Sequence, residues 1–438
     1  MLKTLQNAFK VKDIRKRIFY VLVMLVIIRL GSIIPIPGVD KEFFHGLLEG
    51  NAEASALANM FSGGALSQSA IFALGINPYI TSSIIMQLLT IAIPKLEEMQ
   101  KDGEDGRKKI AAITRYVTIG LALFEGTAMA IGFGNRGWIS DIDAVKIIIV
   151  VLALTAGSAF LMWVGERINE KGIGNGISIV LAINIISRIP SDLFILYENQ
   201  VRGKTVAKGA LAAVIIITVI VLVVLLVLVL NGALRKIPVQ YSKKMQGRKM
   251  VGGQSSHIPL KINTAGVIPI IFASSIMSFP GIIASFTGAG DQGTGIGANI
   301  LRAMNSNTWF NRSQPIYTLG LLVYIVLVVF FAYFYTSITF NPMEVADNMK
   351  KQGGFVPGIR PGKPTTEFLT KILNYVIFIG AIGLVIVATI PFFFNGIFSA
   401  NVSFGGTSLI IVAGVVLDTI KQMESMMLVR NYKGFLDD

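Results

Sequence analysis

Apolar residues run along this chain in long blocks that carry no charged side chain: Ile147–Gly165, Gly209–Leu234, Ile262–Gly290, Ser313–Met343 and Ile372–Leu417. Each reaches or exceeds the roughly 20 residues that carry a helix across the hydrocarbon core. The last holds one span, a turn and part of another. Buried strands of soluble α/β proteins are only about 4–8 residues long. The pattern therefore predicts ten membrane-spanning helices: Ile18–Ile36, Ile76–Ile93, Ala111–Phe133, Ile147–Gly165, Ile173–Ile186, Ala210–Asn231, Thr264–Ala284, Ile316–Ile338, Ile372–Ile390 and Thr407–Met427.

One block differs in kind. Ala54–Pro94 is 41 residues without a charge, too long for one span. Its second half, Ile76–Ile93, is apolar enough to cross. Its first half, Ala54–Ser69, is small, uncharged and rich in Ser and Gly. Backbone of that kind survives at membrane depth only when buried in protein or lining a cavity. We expect it to enter the membrane plane inside the bundle, as in a channel or a transporter.

Composition agrees. The chain has 438 residues, 53% hydrophobic and 15% charged, with a mean hydropathy of +0.66. These values indicate an all-α polytopic membrane protein. Without cysteine there is no disulfide framework, and the only histidines are His45 and His257. The basic start followed by Ile18–Ile28 mimics a signal peptide, but Arg29 interrupts the apolar run and no small-residue cleavage site follows. It reads as an uncleaved first span. Ten spans put both termini on one side. With the termini in the cytosol, 29 of the 39 Lys and Arg fall in cytoplasmic segments and adjoining helix ends, as the positive-inside rule requires. Arg202, Lys204 and Lys208, in an external loop, run against it.

The fifth span is short and Gly-flanked. The second is preceded by a broken half-helix in the uncharged segment. Both lie in the first five, and inverted repeats of five spans are common among membrane transport proteins. The division would be an N-terminal half, residues 1–190, and a C-terminal half, residues 191–438. Two cytosolic loops of the second half, 232–263 and 339–371, are basic. The first holds Arg235, Lys236, Lys243, Lys244, Arg248, Lys249 and Lys261 without an acid. Such loops set topology and attract anionic lipid. Their length also suits docking of a large acidic or phosphate-rich partner, with no sequence-specific nucleic-acid recognition implied. Three charges fall within spans: Arg29, Glu125 and Asp418. Intramembrane charges are functional candidates by default. We expect structural pairing, for Arg29 with an acid across the bundle.

Three functions compete at this point. A passive channel fits the broken segment and the basic loops. An ion-coupled transporter fits the broken segment and the three intramembrane charges, but lacks a clear polar midplane cluster. A membrane enzyme would need a G-x-S-x-G, an H-E-x-x-H, a cysteine or a histidine in a span, and the sequence has none. A phosphate-binding G-x-x-x-x-G-K-[ST] loop is also missing. No cofactor is implied, and energy would have to come from a partner or the membrane potential.

Five motifs then carry a resemblance. They are NMFSGGALSQSAIFALGINPYI (Asn59–Ile80), GERINEKGIGNGIS (Gly165–Ser178), QSSHIPLKINTAGVIPIIFASS (Gln254–Ser275), FVPGIRPGK (Phe355–Lys363) and FGGTSLIIV (Phe404–Val412). In order and spacing the chain resembles the SecY/Sec61-alpha family of protein-conducting channels across essentially its whole length. The external loops 135–146, 191–208 and 288–312 match no motif.

The resemblance implies two five-helix halves around a central hourglass pore in the bacterial plasma membrane, with both termini cytoplasmic. Unfolded preproteins would cross it, and signal sequences and transmembrane segments would leave through a lateral gate. It implies a pore ring of Ile76, Ile80, Ile177, Leu181, Ile271 and Ile411, with Leu181 where isoleucine is common. The implied plug is about residues 55–68, including Ser55, Met60, Phe61, Gly63, Gly64 and Leu66. The gate lining would be Thr81, Gln87, Asn263, Thr264, Ser274, Ser275 and Phe279. Partner-binding residues would be Arg235, Lys236, Arg248, Lys249 and Arg360. The partners would be SecE, SecG, the SecA ATPase and the ribosome.

Overall fold

The computed structural model describes residues 9–40, 62–139, 143–200, 202, 206–241, 244–246, 249–251, 255–287, 296–304, 309, 318–398 and 406–433. All ten predicted spans fall on helices. In chain order the helices are α1 (Lys12–Gly31), α2 (Asn77–Ala92), α3 (Pro94–Lys101), α4 (Glu104–Phe133), α5 (Ala144–Lys171), α6 (Gly176–Gln200), α7 (Val206–Gly232), α8 (Ile268–Thr287), α9 (Ile296–Met304), α10 (Leu319–Thr339), α11 (Pro342–Lys351), α12 (Lys363–Phe398) and α13 (Gly406–Lys433). Five described helical stretches are long and apolar enough to cross a bilayer alone, and the pair α2–α3 would make a sixth.

Helix ends differ from the sequence expectation in an instructive way. α4, α5, α12 and α13 outrun their apolar blocks into polar sequence. Hydropathy marks the edge of the lipid, whereas backbone hydrogen bonding continues into water. The first span is shifted toward the N-terminus and stops at Gly31, where Ser32 donates its hydroxyl to the Ile28 carbonyl at 2.9 Å. The apolar part of the fifth span, Gly176–Ser191, is short, as expected, but its helix does not end there. α6 runs through Pro190 to Gln200, so much of the expected external loop 191–208 is helical. α2 stops before Pro94, which fits the first turn of a helix but cannot continue one. α3 then leaves at 101°.

The chain forms two compact units. The first comprises Met1–Ile216, Ser275–Leu321 and Pro391–Asp438. In it α4 packs on α2 and α5, and α6 packs on α5 and α13. Small residues permit these approaches, as is usual between membrane helices. A Cβ at Gly157 of α5 would sit 2.2 Å from the Ile71 carbonyl oxygen, so only glycine lets that strand of backbone cross α5. Ser82 and Thr118, both buried, join α2 to α4 through their hydroxyls at 2.5 Å. The outward faces keep large apolar side chains exposed, including Phe19 and Val26 of α1 and Tyr116 of α4.

The second unit comprises Ile217–Ser274 and Leu322–Ile390. Here the two basic loops, read from sequence as separate, share one sheet. Strands β1 (Leu234–Tyr241) and β4 (Ser255–Lys261) form an antiparallel pair. A two-residue strand β5 (Gly354–Phe355) adds to the other edge of β1. A small hairpin, β2 (Lys244–Gln246) with β3 (Lys249–Val251), lies between β1 and β4 in sequence. Ile237 and Val239 alternate inward against Leu260, Ala346, Met349, Val356 and Leu369. α11 begins at a capped end, with Asn341 Oδ1 accepting from the Met343 amide at 3.1 Å.

Candidate functional site

Residues 62–76 have the most unusual backbone among the described residues of the first unit. The expected broken half-helix is corrected: over the described residues 63–76 the backbone is a chain of turns. Its polar groups are satisfied locally. The Ala65, Gln68, Ser69 and Ala70 amides donate to Ser62, Gly64, Leu66 and Ala65 carbonyls at 2.8–3.3 Å. Ser67 Oγ donates to the Gly64 carbonyl at 2.7 Å. Such closure is what irregular backbone needs away from water. Of the expected plug residues, Gly63, Gly64 and Leu66 belong to this turn, while Ser55, Met60 and Phe61 lie outside the described residues.

Gly63 has φ of +65° and almost no space. A Cβ there would lie 2.8 Å from both Arg29 Nη1 and Asn184 Oδ1. Its carbonyl accepts hydrogen bonds from both terminal nitrogens of Arg29, each at 3.2 Å. The expectation that Arg29 pairs with an acid is therefore corrected: its partner among the described residues is a backbone carbonyl. Of the other two intramembrane charges, Glu125 is half-buried in α4, whereas Asp418 is exposed on α13.

The C-terminal base of the segment is fixed by contacts that sequence reasoning missed. Ser69, fully buried, has φ of +46°, a conformation that costs a non-glycine residue on the order of 1–3 kcal/mol. Its hydroxyl accepts from the Trp138 indole at 3.1 Å and donates to the Asp40 carbonyl at 3.1 Å. Its carbonyl accepts from the Ile36 amide at 2.9 Å, and the Ile71 amide donates to Ile34 at 3.0 Å. Trp138, also fully buried, packs with Ile36, Ala73, Val150 and Leu154. The available signal was a lone tryptophan in the Gly-rich stretch after α4.

Five expected ring residues belong to the first unit. Ile76 immediately precedes α2, and Ile80 stands one turn on, its amide donating to the Ile76 carbonyl at 3.1 Å. Ile177 and Leu181 share a face of α6, and Ile411 lies in the first turns of α13, which packs on α6. Ile76, Leu181 and Ile411 are buried, while Ile80 and Ile177 are half-exposed. Ile271, on α8, belongs to the second unit.

The start of α6 is held from several sides. Asn175 Oδ1 accepts from the Ile177 and Ser178 amides at 3.1 and 3.2 Å, an N-cap. Asn169 Oδ1 accepts from the Gly176 amide at 2.7 Å. Arg17 of α1 donates to the Gly172 carbonyl at 3.2 Å, and Gln422 of α13 accepts from the Gly174 amide at 2.6 Å. These bonds give a physical reason for the polar residues of the Gly165–Ser178 motif: they set the first turn that carries Ile177.

The expected gate residues make mostly local bonds. Asn263, buried, donates to Asn231 Oδ1 at 2.9 Å, and Thr264 Oγ1 donates to the Lys261 carbonyl at 2.7 Å, both within the second unit. Thr81, Ser274 and Ser275 are half-buried and Gln87 is exposed. The Phe279 side chain lies outside the described residues.

On the sheet of the second unit, Arg235 and Lys236 are exposed. Arg360 is exposed in the turn before α12, where its carbonyl accepts from Thr365 Oγ1 at 2.8 Å. Lys249 lies in β3, its side chain outside the described residues, as is all of Arg248. Cross-strand pairing of Gln240 with Phe355 ties the two basic loops into one body.

A model of the SecY family matches residues 70–420. The protein translocase subunit SecY of Halalkalibacterium halodurans is 42% identical, and that of Streptomyces galbus 44% identical, each alignment covering 100% of both chains. The Bacillus subtilis subunit is 42% identical over the same full coverage. A solved protein-conducting channel aligns with a TM-score of 0.62 at 17% identity, covering 94% of this chain and 92% of that one. Sec61 in the canine ribosome–channel complex aligns with a TM-score of 0.57 at 16% identity, with the same coverage. The sequence matches over the whole length, joined to the shared fold, establish that this chain belongs to the SecY family.

Proposed function

We propose that this chain is a passive protein-conducting channel that moves unfolded preproteins across the bacterial plasma membrane and releases apolar segments sideways into lipid. The observation that carries the reading is the turn segment 62–70. It is uncharged, closes its own backbone hydrogen bonds, is pinned at Ser69 and is held at Gly63. That is the construction of a movable stopper. A related SecY structure concerns a plug domain that stabilises the closed channel and maintains a membrane seal; the same role is assigned here to residues 55–68.

The two halves, 1–190 and 191–438, would be inverted repeats around an hourglass pore. Ile76, Ile80, Ile177, Leu181, Ile271 and Ile411 would form its waist. A narrow aliphatic ring dewets and stops ions, yet moulds around a passing chain without binding it tightly. The seam between α2 and α8 would be the lateral gate, lined by Thr81, Gln87, Asn263, Thr264, Ser274, Ser275 and Phe279. Membrane hydrogen bonds average only about 0.6 kcal/mol, so such a seam opens readily, and an exposed segment then partitions by its own hydropathy.

The chain does no chemistry in this reading; a partner drives transport. Arg235, Lys236, Arg248, Lys249 and Arg360 form the docking platform. Solved relatives include channels bound to ribosomes, and the ribosome and the SecA ATPase are the partners proposed here. SecE and SecG complete the channel, and both termini face the cytosol. Copurification from native membranes tests the assignment. A small helical protein at one-to-one stoichiometry, with preprotein transport on reconstitution, is the expected result. A homogeneous lone chain that transports a small solute against a gradient would contradict it.

A further inference from the structure

We propose that Arg29 is the latch of the plug: its guanidinium holds the turn at Gly63 in the closed seat, and breaking those two bonds is the release step. The inference rests on the reading of residues 55–68 as a plug.

The geometry has three parts. The base of the segment is fixed, because Ser69 bonds to Trp138, Asp40 and Ile36 at 2.9–3.1 Å. Residues 64–68 between base and latch are bonded to one another, through Gln68 to Gly64 and Ser67 to Gly64. They therefore move as one turn rather than unravelling. At the far end both terminal nitrogens of Arg29 converge on the Gly63 carbonyl at 3.2 Å. Swinging the turn about Ser69 leaves the bonds of Ser69 to Trp138, Asp40 and Ile36 intact, breaks the bond of the Ala70 amide to the Ala65 carbonyl, and requires the Gly63 bonds to break.

Arginine suits the task. A charged donor makes a stronger bond to a carbonyl than a neutral one, and the planar fork offers two N–H groups to one oxygen, a geometry that lysine lacks. Glycine is required opposite, since φ is +65° and a side chain would collide with Arg29 and Asn184 at 2.8 Å. The charge sits at the C-terminal turn of α1, where the helix dipole favours it. Arg29 thus gains from its seat whether the plug is in or out, and what changes on opening is the bond to Gly63.

The test uses the full channel with its partner subunits, resting in planar bilayers. Four forms are compared with the parent: Arg29→Ala, Arg29→Lys, a deletion of residues 56–66, and the deletion combined with Arg29→Ala. Arg29→Ala should raise resting ion conductance roughly tenfold, which corresponds to about 1.4 kcal/mol of closed-state stability. Arg29→Lys should fall between it and the parent, and decides the matter if Arg29→Ala does not assemble. In the deletion, Arg29→Ala should add nothing further, because the latch has lost its partner. As the chain has no cysteine, a single Leu66→Cys, at a half-buried position whose side chain makes none of these bonds, reports plug position independently, and its thiol should react faster when Arg29 is replaced. If the deletion leaks but the Arg29 variants neither leak nor change Leu66→Cys labelling, the latch is wrong and the plug stands. Equal added leak from Arg29→Ala with and without the plug also overturns the latch. If the deletion itself does not leak, the plug reading fails and the latch falls with it.

Discussion

The indole of Trp138 donates its N–H to the hydroxyl of Ser69 at 3.1 Å, with both residues fully buried. This bond joins the loop after α4 to the base of the turn that precedes α2. It also stabilises a serine in a left-handed conformation, φ +46°, that its own backbone disfavours.

Replacing Trp138 should therefore act in two steps. Trp138→Phe keeps most of the apolar contact with Val150 and Leu154 but strips Ser69 of its donor, at an expected cost of about 1–3 kcal/mol. Trp138→Ala also opens a cavity and should cost about 3–5 kcal/mol. Thermal unfolding in detergent would rank the two, and equal midpoints for parent and both variants would contradict the clasp.

The crossing of residue 71 over α5 leaves no tolerance. Gly157→Val places branched carbon where a Cβ already lies 2.2 Å from the Ile71 carbonyl oxygen. The helix and the turn must separate, and the protein should fail to accumulate in the membrane. Quantifying membrane-inserted protein beside a Gly232→Ala control, where nothing lies within 4 Å, isolates the steric effect; equal yields would show that the contact is not closed in the working protein.

Asn175→Ala removes the side-chain oxygen that accepts from the Ile177 and Ser178 amides. Loss of an N-cap should cost about 1 kcal/mol and fray the turn that carries Ile177. Asn175→Asp or Asn175→Ser should recover most of it. Hydrogen exchange at residues 177–179 is the readout, with faster exchange in the alanine variant alone.

Charge reversal at Arg360, or at Arg235 together with Lys236, should weaken binding of the motor or ribosome and reduce its salt dependence. These side chains are exposed, so insertion and folding should be unchanged. Binding curves for the purified partner at two salt concentrations give the answer. Unchanged affinity at both would move the docking surface elsewhere.

The spans were legible because lipid demands about 20 apolar residues per crossing, and each predicted span falls on a helix among the described residues. Their ends were less so. α5 runs on through Glu166 to Lys171, and α6 passes Pro190, because backbone bonding does not stop where hydropathy does. The β1–β4 hairpin was written in the alternation of Ile237, Val239 and Tyr241 with Ile258 and Leu260, and was hidden by the loop's basic charge. Nothing local marked the partner of Arg29, since any residue supplies a carbonyl. Nor did Ser69 announce Trp138, a contact made only once α4 and α5 have packed. The plug and ring positions came from motif order, since an isoleucine in a pore and one in a core look alike in sequence.

The central claim is that a mobile plug and an aliphatic ring together seal the resting pore. Single-channel conductance of resting channels in planar bilayers tests it most directly. Deleting residues 56–66 should give a flickering leak, since the ring still narrows the path, and replacing Ile80 and Ile271 with serine should raise it further by removing the surface that drives dewetting. Baseline conductance in the deletion, the ring variant and their combination would place the seal elsewhere and contradict the assignment of the pore.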